Sequence, residues 1–486
     1  MTHKLTSKLT PTSNIPLTPP AFAGGPFSPS PDTVHAAWQR QFRPWGQDVG
    51  YPIHVLLAVL YFAGSVGPIF TAEIFTLPVL ACCLLRIHAV WPLMLIRLRQ
   101  PLMLVILAWC VWMLLAMLWT PDPHAGWNEL ANARWAWTAL VVYPVMERRG
   151  WFIGAICTGL ALGNAAQALE WLGHRQSIDW LIWPHPPNPQ PVQRISGWWH
   201  HPVMGGIILV GGLGLHLGPA LLGRGWRRIA GLAGVLTCGV GALATGTRSA
   251  WLAAVLLAAL VLLAATFALP KKRATAVILA ATIAIIITAG AGWLVAGKQI
   301  AYRVQTAKAE LTSAVQGQNL STDMGARLQY AIWATEAIRE HPVRGVGTGG
   351  YQHWVQNRLR SQNIDPATVR TSPQAHNTLL HAWATTGLLG ALLCASVLAV
   401  GIWTGLRPHL SSATPTVTDA SPRCHPLAAW LGTYSAGPTI ALVGIAIVSL
   451  FDVPYVNIQP AAFTSALLAL AVGSEWLNPK GWHPKT

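Results

Sequence analysis

Charge is what this 486-residue sequence has least of. Only 10% of its residues are Asp, Glu, Lys or Arg, while 53% are hydrophobic and the mean hydropathy is +0.43. Soluble globular domains carry roughly a quarter charged residues, so that class is excluded. Acids are scarcer still, 16 against 32 Lys and Arg, for a formal net charge of +16. In a soluble chain such an excess points to nucleic acid; here its distribution gives a simpler reading, and no nucleic-acid partner is expected. The seven cysteines, Cys82, Cys83, Cys110, Cys157, Cys238, Cys394 and Cys424, lie mostly in apolar stretches without CxxC spacing. Neither a disulfide framework nor a zinc site is indicated. The first 48 residues, rich in Pro, Ser and Thr, also lack the apolar core of a signal peptide.

What is abundant is long apolar runs. A helix needs about 20 mostly apolar residues to cross a bilayer. Twelve stretches qualify, at 51–69, 70–86, 101–119, 130–146, 152–171, 203–222, 229–246, 250–269, 275–297, 376–404, 427–450 and 459–475. The expected fold is all-α, a polytopic membrane bundle of about twelve transmembrane helices with one large, mostly helical outer loop. The expected organisation is a flexible cytoplasmic tail over 1–48, nine spans over 49–297, the loop at 298–375, three spans over 376–475 and a cytoplasmic tail over 476–486. Many of the Trp residues stand at segment ends, such as Trp119, Trp127, Trp171, Trp198 and Trp199, as an interfacial aromatic belt requires.

Lys and Arg crowd alternate loops: Arg97 and Arg99, Arg148 and Arg149, Arg224 with Arg227 and Arg228, Lys271-Lys272-Arg273, then Arg407 and Arg423. The intervening loops hold Glu73, Asp122, Glu129 and Asp452. By the positive-inside rule both termini are cytoplasmic, and the 298–375 loop lies on the outer, periplasmic face of the membrane. That loop breaks the pattern, with nine basic residues against five acids, which predicts an anionic ligand there. Leu328, Ile332, Thr335 and Ile338 keep helical spacing, and Gly345-Val346-Gly347-Thr348-Gly349-Gly350 marks a tight turn before a second helix from about Tyr351 to Gln362. The turn lacks the Lys-Ser/Thr of a P-loop and follows no strand.

Charges also sit at outer helix ends: Arg194 in Gln193-Arg194-Ile195, Arg248 in Thr247-Arg248-Ser249, Arg327 in the loop helix, and Asp452 in Phe451-Asp452-Val453. Singly, each has a plain structural reading: a snorkelling arginine, a solvated helix face, and for His376 a helix-entry residue. The pair His200-His201 has no third metal ligand at suitable spacing. Jointly, three arginines and a histidine from distant segments are assigned to one membrane face. Arginine grips phosphate bidentately and stays charged when partly desolvated, so a diphosphate is the fitting guest. Histidine accepts a proton near neutral pH, which suits a general base beside that leaving group.

His376-Asn377, nine residues, then Gly387-Leu388-Leu389-Gly390 resembles the H-[NSQ]-x9-G-x2-[GTY] pattern of the O-antigen ligase and polymerase superfamily. Arg327-Leu328 followed by His341-Pro342-Val343-Arg344-Gly345-Val346-Gly347, and Thr247-Arg248-Ser249 upstream, are similar to the same family's motifs. Within it the chain looks most like the WaaL-type O-antigen ligases. The resemblance implies a membrane-embedded glycosyltransferase of the GT-C type in the bacterial inner membrane. Such an enzyme takes an O-antigen glycan from undecaprenyl diphosphate and joins it to a sugar hydroxyl of lipid A-core. It implies no metal and no cofactor, in keeping with the lack of Asp-x-Asp and Walker patterns. Arg248 and Arg327 would hold the diphosphate, His376 would be the base, Arg194 and Asn377 would contact substrate, and Asp452 would orient His376 or an arginine. An O-antigen polymerase and a protein O-oligosaccharyltransferase share the donor. A lipid or glycan transporter would instead place charges at the bilayer midplane and show repeat symmetry.

Overall fold

The computed structural model describes residues 50–182, 194–199, 201–315, 322–410 and 426–471. The expected tails at 1–48 and 476–486, together with His200 and Arg423, lie outside the described residues. Among the described residues all regular structure is helical, with no strand. The first half contains α1 (Gly50–Gly64), α2 (Ile69–Leu85), α3 (Ile87–Leu98), α4 (Pro101–Ala116), α5 (Pro123–Ala133), α6 (Thr138–Val141), α7 (Arg149–Gln176), α8 (Pro202–Leu222) and α9 (Trp226–Ala244). There follow α10 (Arg248–Phe267), α11 (Lys271–Val315), α12 (Asp323–Glu340), α13 (Tyr351–Ser361), α14 (Thr378–Leu410), α15 (Pro426–Leu431), α16 (Gly437–Val448) and α17 (Ile458–Ala471).

Among the described residues, seven helical segments are long and apolar enough to cross a membrane, or eight if α2 and α3, bent by 106° at Arg86, form one span. This is a multi-pass membrane bundle. The difference from the expected twelve has local causes. Residues 130–146 do not make one helix: 3₁₀ turns at Arg134–Trp137 and Tyr143–Arg148 flank the four-residue α6. Pro144 cannot donate the backbone bond that an α-helix needs there. The 427–450 stretch divides into α15 and α16 around Gly432–Gly437, and α1, α16 and α17 are apolar but short.

Packing sorts the helices by side-chain size. In membranes, close helix approach depends on small residues, because lipid is as apolar as leucine. α8 carries Gly205, Gly206, Gly211, Gly212, Gly214 and Gly218, and its span is 89% buried. Phe463 fills the space over Gly211, and the Ala441 backbone lies against Gly214. The span in α11, lined by Ile and Leu, is only 6% buried and forms the periphery. Not every end-of-segment tryptophan is an interfacial anchor. Trp127 is exposed, whereas Trp199 is fully buried against Gly163 and Gly205 and donates its indole N–H to Val66 O at 2.9 Å.

The glycines around the turn at 345–350 have a mechanical job. α14 is broken at Gly387 (φ 73°), which frees carbonyls in the middle of the helix. The turn supplies the missing donors: Val346 N bonds Ala384 O and Gly347 N bonds Thr385 O, both at 2.8 Å. In return Leu388 N bonds Pro342 O at 3.1 Å. A β-carbon on Gly387 would strike the Val343 carbonyl, and one on Gly345 the Thr385 carbonyl. The turn therefore clamps α12 and α13 onto α14, at the end where His376 enters. α12 is helical as expected but buries a different stripe. Tyr330, Trp333, Ala334 and Ala337 face inward, while Leu328 and Ile332 are exposed.

Candidate active site

Asn377 caps α14: its Oδ1 accepts from Leu380 N at 3.0 Å, satisfying a donor that the first helical turn leaves open. Its Nδ2 donates to Leu450 O at 2.9 Å, and Thr378 bonds Ser449 O and Asp452 O at 2.8 and 3.0 Å. The segment after α16 is thereby fastened to the entrance of α14. Just before the cap, His376 adopts a left-handed backbone (φ 51°), an uncommon and costly conformation for a residue with a β-carbon. It lays the imidazole on the Tyr330 ring, centroids 5.5 Å apart and planes 21° from parallel.

These constraints bring three sequence-predicted residues into one contact. His376 Nδ1 stands 3.7 Å from Asp452 Oδ1, and Arg327 Nη2 stands 3.9 Å from Asp452 Oδ2. Both are ion-pair distances, longer than a direct hydrogen bond. Arg327 Nη1 also donates to Phe451 O at 3.1 Å, and His376 Nε2 faces Ser372 Oγ at 3.5 Å. The carboxylate is 1% exposed while the His376 and Arg327 side chains are 23% and 33% exposed, so the acid stands behind and the imidazole and guanidinium stand in front. Burial works against the Asp452 charge, but His376, Arg327 and the Val453 N–H outweigh it and hold its pKa below the usual carboxylate range.

A second set of charges adjoins the first. Arg248 opens α10, where the helix dipole disfavours a cation. It is offset by Glu310 of α11 at 2.7 Å and accepts no burden alone, since Thr306 Oγ1 takes another N–H at 3.1 Å. Asp323 at the start of α12 bridges Arg303 (3.4 Å) and Arg370 (2.9 Å). Burial opposes its charge too, and Arg370 and Arg303 overcome that to lower its pKa. Arg194 is anchored to Thr245 O at 2.8 Å and Thr247 Oγ1 at 2.9 Å. Burial first, then repulsion from Arg303, Arg327 and Arg248, pulls its pKa down to about 9, still protonated at neutral pH. Among the described residues this cluster sets five guanidiniums (Arg194, Arg248, Arg303, Arg327, Arg370) against three carboxylates (Glu310, Asp323, Asp452), an excess of two positive charges.

Arg248 and Arg194 thus join the site through the charge cluster, without direct contact to His376, while Asn377 spends its amide on the backbone. His201 accepts from Val203 N at 3.2 Å and so caps α8. Sequence reasoning passed over Tyr330, Arg303, Asp323 and Arg370 as site groups. Tyr330 was within reach, because it follows Arg327 by three residues on one helix face; the other three meet only through tertiary packing. A further buried set lies nearby. Glu129 contacts His381 Nε2 at 3.5 Å, and accepts from Gly349 N at 2.9 Å and Tyr455 OH at 3.4 Å, tying α5 and α14 to the glycine turn.

Fold and site together define a multi-pass helical membrane protein with a cationic centre that presents one carboxylate-backed imidazole. Residues 233–395, from within α9 into α14, match the family model described as O-antigen ligase, so this third of the chain is similar to that family. An uncharacterized protein of Haemophilus influenzae is similar, 28% identical over 148 residues. The match spans 30% of this chain and 35% of that protein, about a third of the relative's length.

Proposed function

We propose that this protein is a WaaL-type O-antigen ligase: a glycosyltransferase that moves O-antigen polysaccharide from undecaprenyl diphosphate to a sugar hydroxyl of lipid A-core. It would act at the periplasmic face of the bacterial inner membrane. The observation that carries this reading is the buried Asp452, shared between the accessible His376 and the accessible Arg327. Asp452 faces Nδ1, so it favours the tautomer with the proton on Nδ1 and leaves Nε2 free to accept one.

In the proposed step the acceptor hydroxyl oxygen attacks the anomeric carbon and its proton passes to His376 Nε2. The bond from that carbon to the diphosphate oxygen breaks, and undecaprenyl diphosphate leaves with the electron pair. Arg327 and Arg248, backed by Arg303, Arg370 and Arg194, stabilise the negative charge that grows on the leaving group. The excess of two positive charges suits a diphosphate diester. One displacement inverts the anomeric configuration. A double displacement needs an available carboxylate nucleophile, and all three carboxylates of the cluster, Asp452, Asp323 and Glu310, are engaged by arginines. The residues named act without metal or nucleotide.

The test is reconstitution of the purified protein with undecaprenyl diphosphate-linked glycan and lipid A-core, without added metal or nucleotide. Joined lipopolysaccharide is the expected product. Elongation of the glycan on its own carrier would make the protein a polymerase, and transfer to a protein hydroxyl an oligosaccharyltransferase; either result overturns the ligase reading.

A further inference from the structure

A large cavity lies remote from His376. It has a volume of about 870 Å³ and lies where α8 ends, α9 begins, and α10 passes into α11. α8, α9 and α10 all run between the two places: their other ends carry Pro202, Thr245 and Arg248 beside the charge cluster. α8 has 21 residues, which at 1.5 Å each is about 31 Å, a bilayer's hydrocarbon thickness.

Among the described residues four arginines line this cavity, Arg224, Arg227, Arg228 and Arg273, and no Asp or Glu does. The rest of the lining includes apolar groups such as Leu269 and Val277. Trp226, also on the wall, is 67% exposed, and the Arg227 guanidinium sits 6.0 Å from its ring centroid. Topology accounts for the sign of these charges; it does not account for a half-open cavity lined by them. A guest for this space needs a phosphate for the arginines and hydrocarbon for the lipid-facing wall. We propose that the cavity binds the headgroup of an anionic phospholipid, holding the bundle from the end opposite its charge cluster. The proposal is independent of the transfer reaction.

The test uses the full-length protein in vesicle-derived nanodiscs of mixed phosphatidylglycerol and phosphatidylcholine, with retained lipid counted by native mass spectrometry. The wild-type protein is expected to retain phosphatidylglycerol selectively. Each cavity charge removed should weaken retention roughly fivefold, so the double variant Arg227→Gln/Arg273→Gln should lose it. Ala429→Trp, which puts a bulky side chain on the cavity wall and leaves the charges, should weaken retention as well and guards against a double variant that fails to fold. Arg407→Gln, an exposed arginine at the end of α14 outside the lining, should change nothing. Undiminished retention in both cavity variants, equal loss in Arg407→Gln, or displacement of the lipid by inorganic phosphate would each overturn the proposal.

Discussion

At the residue scale, the account rests on what each charged group touches. Asp452 is buried behind His376, so Asp452→Asn should preserve the fold yet lose the tautomer preference and the imidazolium stabilisation. Turnover is expected to drop by about 10²–10⁴-fold with donor affinity little changed, read as kcat against KM. Arg327→Lys keeps the charge but cannot hold Asp452 and the Phe451 carbonyl from one planar group. Donor binding should weaken about tenfold or more, measured by donor titration. The lowered pKa values of Asp452 and Asp323 also have a sign. A depressed carboxylate stabilises the fold fully above its unfolded value of about 3.9 and loses that contribution as pH falls through the lower folded value. Thermal stability should therefore hold down to about pH 4 and decline below it, and Asp323→Asn should remove part of that acid-sensitive decline. Acid melts that are superimposable for wild type and variant would contradict the assignment. The individual groups His376, Arg327, Arg248, Arg194 and Asp452 were legible as charges at helix ends. Their partners Arg303, Asp323 and Arg370 were not, because in sequence they are ordinary members of a basic loop.

At the element scale, the His-Asn and Gly-x-x-Gly portions of one motif do separate mechanical work. Asn377 starts α14 and ties it to residue 450, while Gly387 breaks it so that the turn at 345–350 can dock. Gly387→Ala forces a left-handed backbone on a residue with a β-carbon and drives that carbon at the Val343 carbonyl. A loss of about 1–3 kcal/mol is expected, visible as a lower melting temperature along with loss of activity. Asn377→Ala should cost about 1 kcal/mol from the cap alone. Helix identity was readable from apolar periodicity; which face turns inward was not. In α12 the stripe of Leu328 and Ile332 looks like a core, yet the smaller Ala334 and Ala337 with Tyr330 and Trp333 make the contact. A large apolar residue does not by itself report burial, because more than half of a folded protein's accessible surface is contributed by apolar atoms. Trp199 is the converse case: its place at a segment end concealed a buried role.

At the scale of the whole molecule, low charge and long apolar runs were enough for an all-α membrane bundle. They were not enough for the path of every segment, since Pro144 and Gly432–Gly437 interrupt stretches that are apolar enough to span. The glycine-rich α8 at the centre and the Ile/Leu-rich α11 at the edge follow from side-chain size, and they set the frame on which remote segments meet. The account's central claim is that this frame delivers a proton acceptor to a lipid diphosphate. The most direct measurement is transfer by purified His376→Ala in the reconstituted system, alongside binding of the undecaprenyl diphosphate-linked donor. The account predicts retained donor binding and a loss of joined product by about 10²-fold or more; product formation near the wild-type rate would contradict it.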